Sequence, residues 1–219
     1  MTEEQKEIIA AETDQDIYND NDYISPFDVI EEEHAYPDLN YCVDKIKSKD
    51  IKLQLFLAFT KVPEYFYKIP ASSTGKYHPA YAIGEGGLLR HTIVAARIAC
   101  DLVDLEMYGL TDDEKDYVIC ALLLHDTFKS GVTYSKYTLH NHPMLAAQHV
   151  RANCSREFAK NVCPLIESHM GQWNTCKWDK TVLPKPETKL QQIVHLCDYL
   201  ASRKYLAFEF QGKTNDFNI

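Results

Sequence analysis

The sequence predicts an all-α helical bundle. Three observations carry this: apolar residues recur at helical spacing from about residue 38 onward, strands are hard to find, and helix start and stop residues punctuate the chain. Taken in order, Asp50 is placed to cap a short helix through LQLFLAFT, and PEYFYK starts another with Pro63 in its first turn. PASSTGKYHPAYAIGEGG, from Pro70 to Gly87, is rich in Pro, Gly and Ser and reads as an ordered loop. A long helix follows in LLRHTIVAARIACDLVDLEMYG, with Val94, Ile98, Leu102 and Leu105 at helical spacing and a stop at Gly109. Thr111 and Glu114 form a T-x-x-E capping box that opens the helix carrying Tyr117, Val118, Ala121, Leu122 and His125. After the loop GVTYSKYTLHNH, Pro143 sits where the next helix begins. A further helix from about Ser155 meets Pro164, which is expected to kink or restart it before IESHMGQW. TVLPKPETK reads as a linker, and ETKLQQIVHLCDYLASRKY as the last long helix.

A chain of 219 residues is long enough to bury a sizeable core in one domain. Its seven cysteines are scattered and contain no C-x-x-C pair, so they read as reduced thiols and core filler. The opening MTEEQKEIIAAETDQD is acidic where a secretory signal is basic and then apolar, and no stretch has the length of a membrane span. The expectation is a cytoplasmic protein. Charge is uneven: residues 1–40 hold thirteen acidic side chains against Lys6 and carry −12, whereas 41–219 carry +3. The first segment reads as an acidic arm, solvated and partly disordered by composition. A sharper reading lays it over a basic pocket in competition with an anionic substrate. The mildly basic remainder admits a phosphate-bearing ligand but lacks the dense basic stripe of a long-duplex binder.

Six polar residues fall on or beside apolar helix faces. His91 shares the face of Val94, Ala95 and Ile98, His125 extends the stripe of Val118, Ala121 and Leu122, and Asp198 follows Val194 and Leu190. His169 lies close to the face of Leu165 and Ile166, and His142 immediately precedes a helix start. Singly, each is an ordinary core histidine or capping carboxylate. Together with Asp126, burying several imidazoles beside two carboxylates is costly unless a cation balances them, and a transition-metal ion does so while fixing their geometry. Adjacent His125 and Asp126 point about 100° apart on a helix, so an ion between them needs ligands distant in sequence, which His91 and Asp198 supply.

The order His91, His125-Asp126, Asp198, each on its own helix, resembles the HD-domain superfamily of metal-dependent phosphohydrolases. Within it the stretches KYHPAYAIGEGGLLRHT, LLLHDTFKSG, HNHP, ESHMGQW and VHLCDYLAS are most similar to the YhaM-type exoribonucleases, over roughly residues 65 to 205. The resemblance implies that residues 41–219 form the HD domain, and that His91, His125, Asp126 and Asp198 hold one metal. It implies a second metal on His142 and His169, with Asp126 as a bridge. Asp126 and Lys129 would be the catalytic pair, Lys129 contacting a phosphate oxygen, with Arg90 and His78 as further candidates for substrate contact. Phe128 stands where the family usually has Gly, reshaping the pocket floor, and Met170 where the similar branch has a second His.

Mixed imidazole and carboxylate donors suit manganese, iron, cobalt or nickel better than magnesium. The function implied is hydrolysis of a phosphate ester in a nucleotide or short oligonucleotide by a metal-activated water. Two alternatives use the same residues: a 3'-5' exonuclease on single-stranded nucleic acid, and a di-iron oxygenase. The exonuclease reading is weaker because the exoribonucleases it resembles carry an OB-type domain, for which the first 60 residues are too acidic. No oligomeric state follows from the sequence.

Overall fold

The fold is described from a computed structural model, for residues 37–72 and 78–208. Seven α-helices account for the described residues: α1 (Pro37–Asp44), α2 (Lys49–Phe59), α3 (Gly87–Leu102), α4 (Asp112–Leu124), α5 (His142–Asn153), α6 (Arg156–Glu167) and α7 (Lys189–Ala201). Short 3-10 turns link them, and the only strand-like pairing among the described residues is an isolated bridge between Cys176 and Asp179. The acidic-arm reading falls on residues 1–36, outside those described; residues 37–40 already belong to α1.

The central helices are α3 and α4, which pack on each other. Helix α7 lies against both, α6 against α4 and α7, and α5 pairs with α6. Leu88, Leu89, Ile93, Val118, Leu122, Leu123, Ile166 and Val194 build the core between them, each with less than 3% of its surface exposed. The amino ends are set by side chains that accept from orphan N–H groups. Thr111 forms the expected capping box with Glu114, and Ser155 accepts from Phe158 N. A second box, Thr188 with Gln191, opens α7.

Several local expectations are corrected. Ser48, not Asp50, caps α2, because its hydroxyl accepts from Ile51 N while Asp50 sits inside the first turn. PEYFYK forms a single 3-10 turn, Glu64–Tyr67, with Pro63 as its cap. Helix α3 stops at Leu102, not Gly109: the apolar stripe leaves the core after Val103, and Leu105 and Met107 are 45% and 81% exposed. Gly109 closes a 3-10 turn instead. Pro164 does not restart α6. It lies on the exposed side, where water can serve the carbonyl that the missing N–H leaves free. Finally, α4 ends at Leu124, so His125 is its carboxyl-terminal cap residue and Asp126 lies in the turn beyond.

No helix among the described residues is long and apolar enough to cross a membrane. None of the seven cysteines is in a disulfide; five are buried.

Candidate metal centre

Five elements deliver six side chains to one point. His91 stands in the second turn of α3, and Asp198 in the last part of α7. His125 caps α4, with Asp126 next to it. His142 is the first residue of α5, and His169 follows the end of α6. All are buried except Asp198, whose side chain keeps 18% exposure. Of the six, Asp198 is thus the least shielded from solvent.

Helix α3 reaches the centre because its amino end approaches the preceding loop closely. A Cβ on Gly87 would fall 2.4 Å from the Ala82 carbonyl oxygen, so only glycine fits there. Arg90 pins that loop: its guanidinium donates to the carbonyls of Tyr81, Ile83 and Glu85 at 2.5–2.9 Å. The structure thus turns this candidate substrate contact away, onto backbone, in a buried position. Beyond α4 the chain turns tightly through Lys129 N to Asp126 O and Gly131 N to Phe128 O. Tyr65 holds this turn, its hydroxyl donating to Gly131 O at 2.7 Å and accepting from Ser130 N.

The two oxygens of Asp126 divide the cluster. Oδ2 lies 3.4 Å from His125 Nε2 and 3.7 Å from His91 Nε2, and Asp198 Oδ1 completes that side at 2.9 Å from His91 and 3.5 Å from His125. Oδ1 faces His142 Nε2 at 3.0 Å and His169 Nε2 at 3.8 Å. Ligand-type atoms of His91, His125 and Asp198 lie within 4.8 Å of one another, as do those of His125, Asp126 and His169.

Hydrogen bonding fixes which nitrogens face inward. His125, His142 and His169 each donate through Nδ1 to a carbonyl three residues back: Leu122, Leu139 and Ile166, at 2.6–2.8 Å. A carbonyl only accepts, so each Nδ1 carries the proton and each Nε2 is presented to the centre. Two of these, His142 and His169, meet Nε2 to Nε2 at 3.3 Å. His125 Nε2 and Asp126 Oδ1 are buried without a hydrogen-bond partner. Inward-facing Nε2 atoms, which ligate once any proton on them is displaced, and an orphaned carboxylate oxygen in a buried cluster are the donor set that a divalent transition metal satisfies, so these residues fit one or two such ions.

The electrostatics agree. Burial opposes charge on His125, but Asp126 and then Asp198 outweigh it and push its pKa up to about 10. Burial likewise opposes ionisation of Asp126, yet Lys129 and His125 hold its carboxyl well below the usual range. Asp198 is held low by His125 and His91 against the same burial. The pocket selects for positive charge between its two carboxylates. His169, with burial dominant and His125 beside it, is pushed down to about 3.

The remaining candidates separate. Lys129 reaches back to Asp126 Oδ2 at 2.5 Å, the oxygen that also faces His91 and His125. His78 packs its ring edge-on against His91, centroids 5.3 Å apart, and its buried Nδ1 has no hydrogen-bond partner. Burial, then His91 and Lys129, push its pKa down to about 3. Phe128 is buried against His149, ring centroids 4.8 Å apart, so its bulk goes into the core beneath the site. Met170 is half-buried and begins the turn Gly171–Trp173. His140 and His149 serve carbonyls of Thr181 and Ala58. His195 donates to the carbonyl of His169 at 2.7 Å and so positions a metal-type ligand, a role with no local motif to announce it. Tyr65 was equally unmarked in the sequence.

The HD-domain sequence model matches residues 87–203, the stretch that carries His91 through Asp198. The dihydroneopterin 2',3'-cyclic phosphate phosphodiesterase of Methanocaldococcus jannaschii is 29% identical over 144 residues, covering 61% of this chain and 52% of that one. The chain therefore spans about half the length of the curated relative it matches. No solved structure matches it significantly. With more than half of its residues matched, in a helical bundle organised around the His-Asp pair, the chain belongs to the HD-domain family.

Proposed function

We propose that the protein is a metal-dependent phosphodiesterase acting on a small, nucleotide-like phosphate ester. The observation that carries the reading is the division of Asp126, one oxygen facing His91 and His125, which also meet Asp198, the other facing His142 and His169. One carboxylate shared between two donor sets is suited to bridging a pair of ions. Four imidazoles and two carboxylates favour manganese, iron, cobalt or nickel over an all-oxygen magnesium shell. Such ions supply a water of lowered pKa and neutralise phosphoryl oxygens. The name of the relative, a cyclic phosphate phosphodiesterase, supports the same bond type.

The chain's own residues supply orientation and charge. His125, His142 and His169 are locked by their Nδ1 hydrogen bonds, so their donor atoms need no reorganisation. Lys129, at Asp126 Oδ2, would supply a positive charge beside the donor set for a phosphoryl oxygen to meet. His78, neutral at physiological pH, borders the site beside His91. In the net reaction water adds to phosphorus, one P–O ester bond breaks, and the departing oxygen takes a proton.

The test is hydrolysis of nucleoside 2',3'-cyclic phosphates and nitrophenyl phosphodiesters by protein loaded with manganese, iron, cobalt or nickel, under nitrogen. Turnover without oxygen supports the reading. Oxygen consumption with iron and no hydrolysis overturns it in favour of an oxygenase, and activity confined to oligonucleotides overturns the small-substrate class.

A further inference from the structure

An exposed aromatic stack lies on the segments that carry two of the candidate ligands, Asp198 and His169. Trp173 lies nearly parallel to Tyr199, planes 17° apart and ring centroids 5.9 Å apart, and 43% of the tryptophan surface remains exposed. The guanidinium of Arg203 sits 4.1 Å over the Tyr199 ring and is steadied by Ser202 Oγ at 2.7 Å. A lone exposed tryptophan is unremarkable; a stacked, cation-backed one is an ordered π surface.

Its position follows from helix geometry. Tyr199 is the residue after Asp198 on α7 and His195 lies three residues before Asp198, so both project to one side of the carboxylate, where they are half-buried. Trp173 is reached from His169 by one tight turn through Gly171, whose φ is +55°. That turn is seated on His195: a Cβ on Gly171 would lie 2.2 Å from the imidazole. His195 also donates to His169 O and packs against Trp173, centroids 6.3 Å apart. The stack and two of the candidate ligands are thus joined by one continuous set of contacts.

We infer that Trp173, stacked on Tyr199, is the subsite for a planar aromatic heterocycle carried by the substrate, whose phosphate lies at the metal centre. The inference rests on the phosphodiesterase reading for the phosphate end. The ring chemistry is shared by a nucleobase and a pterin, and stacking accepts either because each has a π face. The ester chemistry stays with the cluster.

The test separates the two ends. In a Trp178→Phe background, which leaves Trp173 as the sole indole, phosphate-free adenosine and phosphate-free neopterin are titrated against fluorescence. Saturable quenching by one or both is expected, and the arm that quenches at lower concentration identifies the ring. In parallel, kcat/KM is measured for a ring-bearing cyclic phosphate and for ribose 2',3'-cyclic phosphate, which has no ring. Trp173→Ala should lower the ratio of the two by on the order of tenfold, mainly through KM, and Trp173→Phe should restore most of it. Hydrolysis with an unaltered ratio and no quenching overturns the inference while the phosphodiesterase reading stands. Quenching with no hydrolysis of any ester upholds the ring subsite and removes the phosphodiesterase reading.

Discussion

Lys129 Nζ stands 2.5 Å from Asp126 Oδ2, while the other oxygen of the same carboxylate faces His142 Nε2 at 3.0 Å. The carboxylate is thus drawn from two directions, and the ammonium is an accessory to the donor set, since lysine in its charged form cannot ligate. Lys129→Ala should keep its metal and lose activity by about a hundredfold, the scale of removing one preorganised charge from a phosphoryl site. Asp126→Ala should lose both metal and activity. Elemental analysis beside a phosphodiesterase assay decides; equal metal loss in the two variants contradicts the division of roles.

The split of Asp126 also predicts a stoichiometry. His91→Ala should remove one ion and His142→Ala another, each leaving about half the wild-type content, and Asp126→Ala should remove both. Mass-spectrometric metal counting on dialysed protein checks this. Complete loss in each single histidine variant would mean that one ion is held by the whole cluster.

Tyr65 is tied to the turn after Asp126 through a hydroxyl that both donates to Gly131 O and accepts from Ser130 N. Tyr65→Phe leaves the ring in place and removes both bonds, which should cost about 1–3 kcal/mol. Urea denaturation measures it, and a loss below the error of the method shows that water replaces the hydroxyl.

Gly171→Ala drives a methyl into the His195 ring at a backbone φ of +55°. The expected destabilisation is about 2–4 kcal/mol, from overpacking and left-handed strain together. In a His195→Ala background only the strain remains, so the same substitution should cost about 1 kcal/mol. Additive penalties in the double-mutant cycle would show that the contact is not the cause.

The pH dependence of the metal-free protein has two limbs. His78 and His169 titrate at about 3 when folded, against 6.5 for a free imidazole, so between those values the unfolded chain binds more protons and stability falls as pH drops below 6.5. His125 is shifted the other way, to about 10; its contribution is complete below 6.5 and is lost as pH rises toward 10. Denaturation midpoints should therefore peak near neutrality. His78→Gln should flatten the acid limb and spare the alkaline one; an unchanged acid limb refutes the assignment of that limb to His78.

Helix identity was largely legible because it depends on neighbours three and four residues apart. The Thr111–Glu114 box, the start at Ser155 and the faces of His91 and Asp198 could all be read from spacing. Boundaries were less legible where burial decided them. The apolar letters of LVDLEM continue the α3 pattern, yet Leu105 and Met107 lie in solvent and the helix ends before them. Arg90 in GGLLRHT reads as a candidate substrate contact, and only the folded loop, by presenting three carbonyls, reveals it as a buried clamp.

By itself the sequence determined that this is a helical bundle with imidazoles and carboxylates on its inward faces, since periodicity and the energetic penalty of buried charge are local or additive properties. Only the tertiary structure decided how those side chains are shared. The two oxygens of Asp126 are equivalent in the sequence and become distinct when α3, whose His91 is paired with Asp198 of α7, approaches one and α5 and the end of α6 approach the other. The same packing joined Trp173 to Tyr199 and seated Gly171 on His195 across more than twenty residues of chain. Such pairings arise from which helices pack together, and no short-range pattern encodes them.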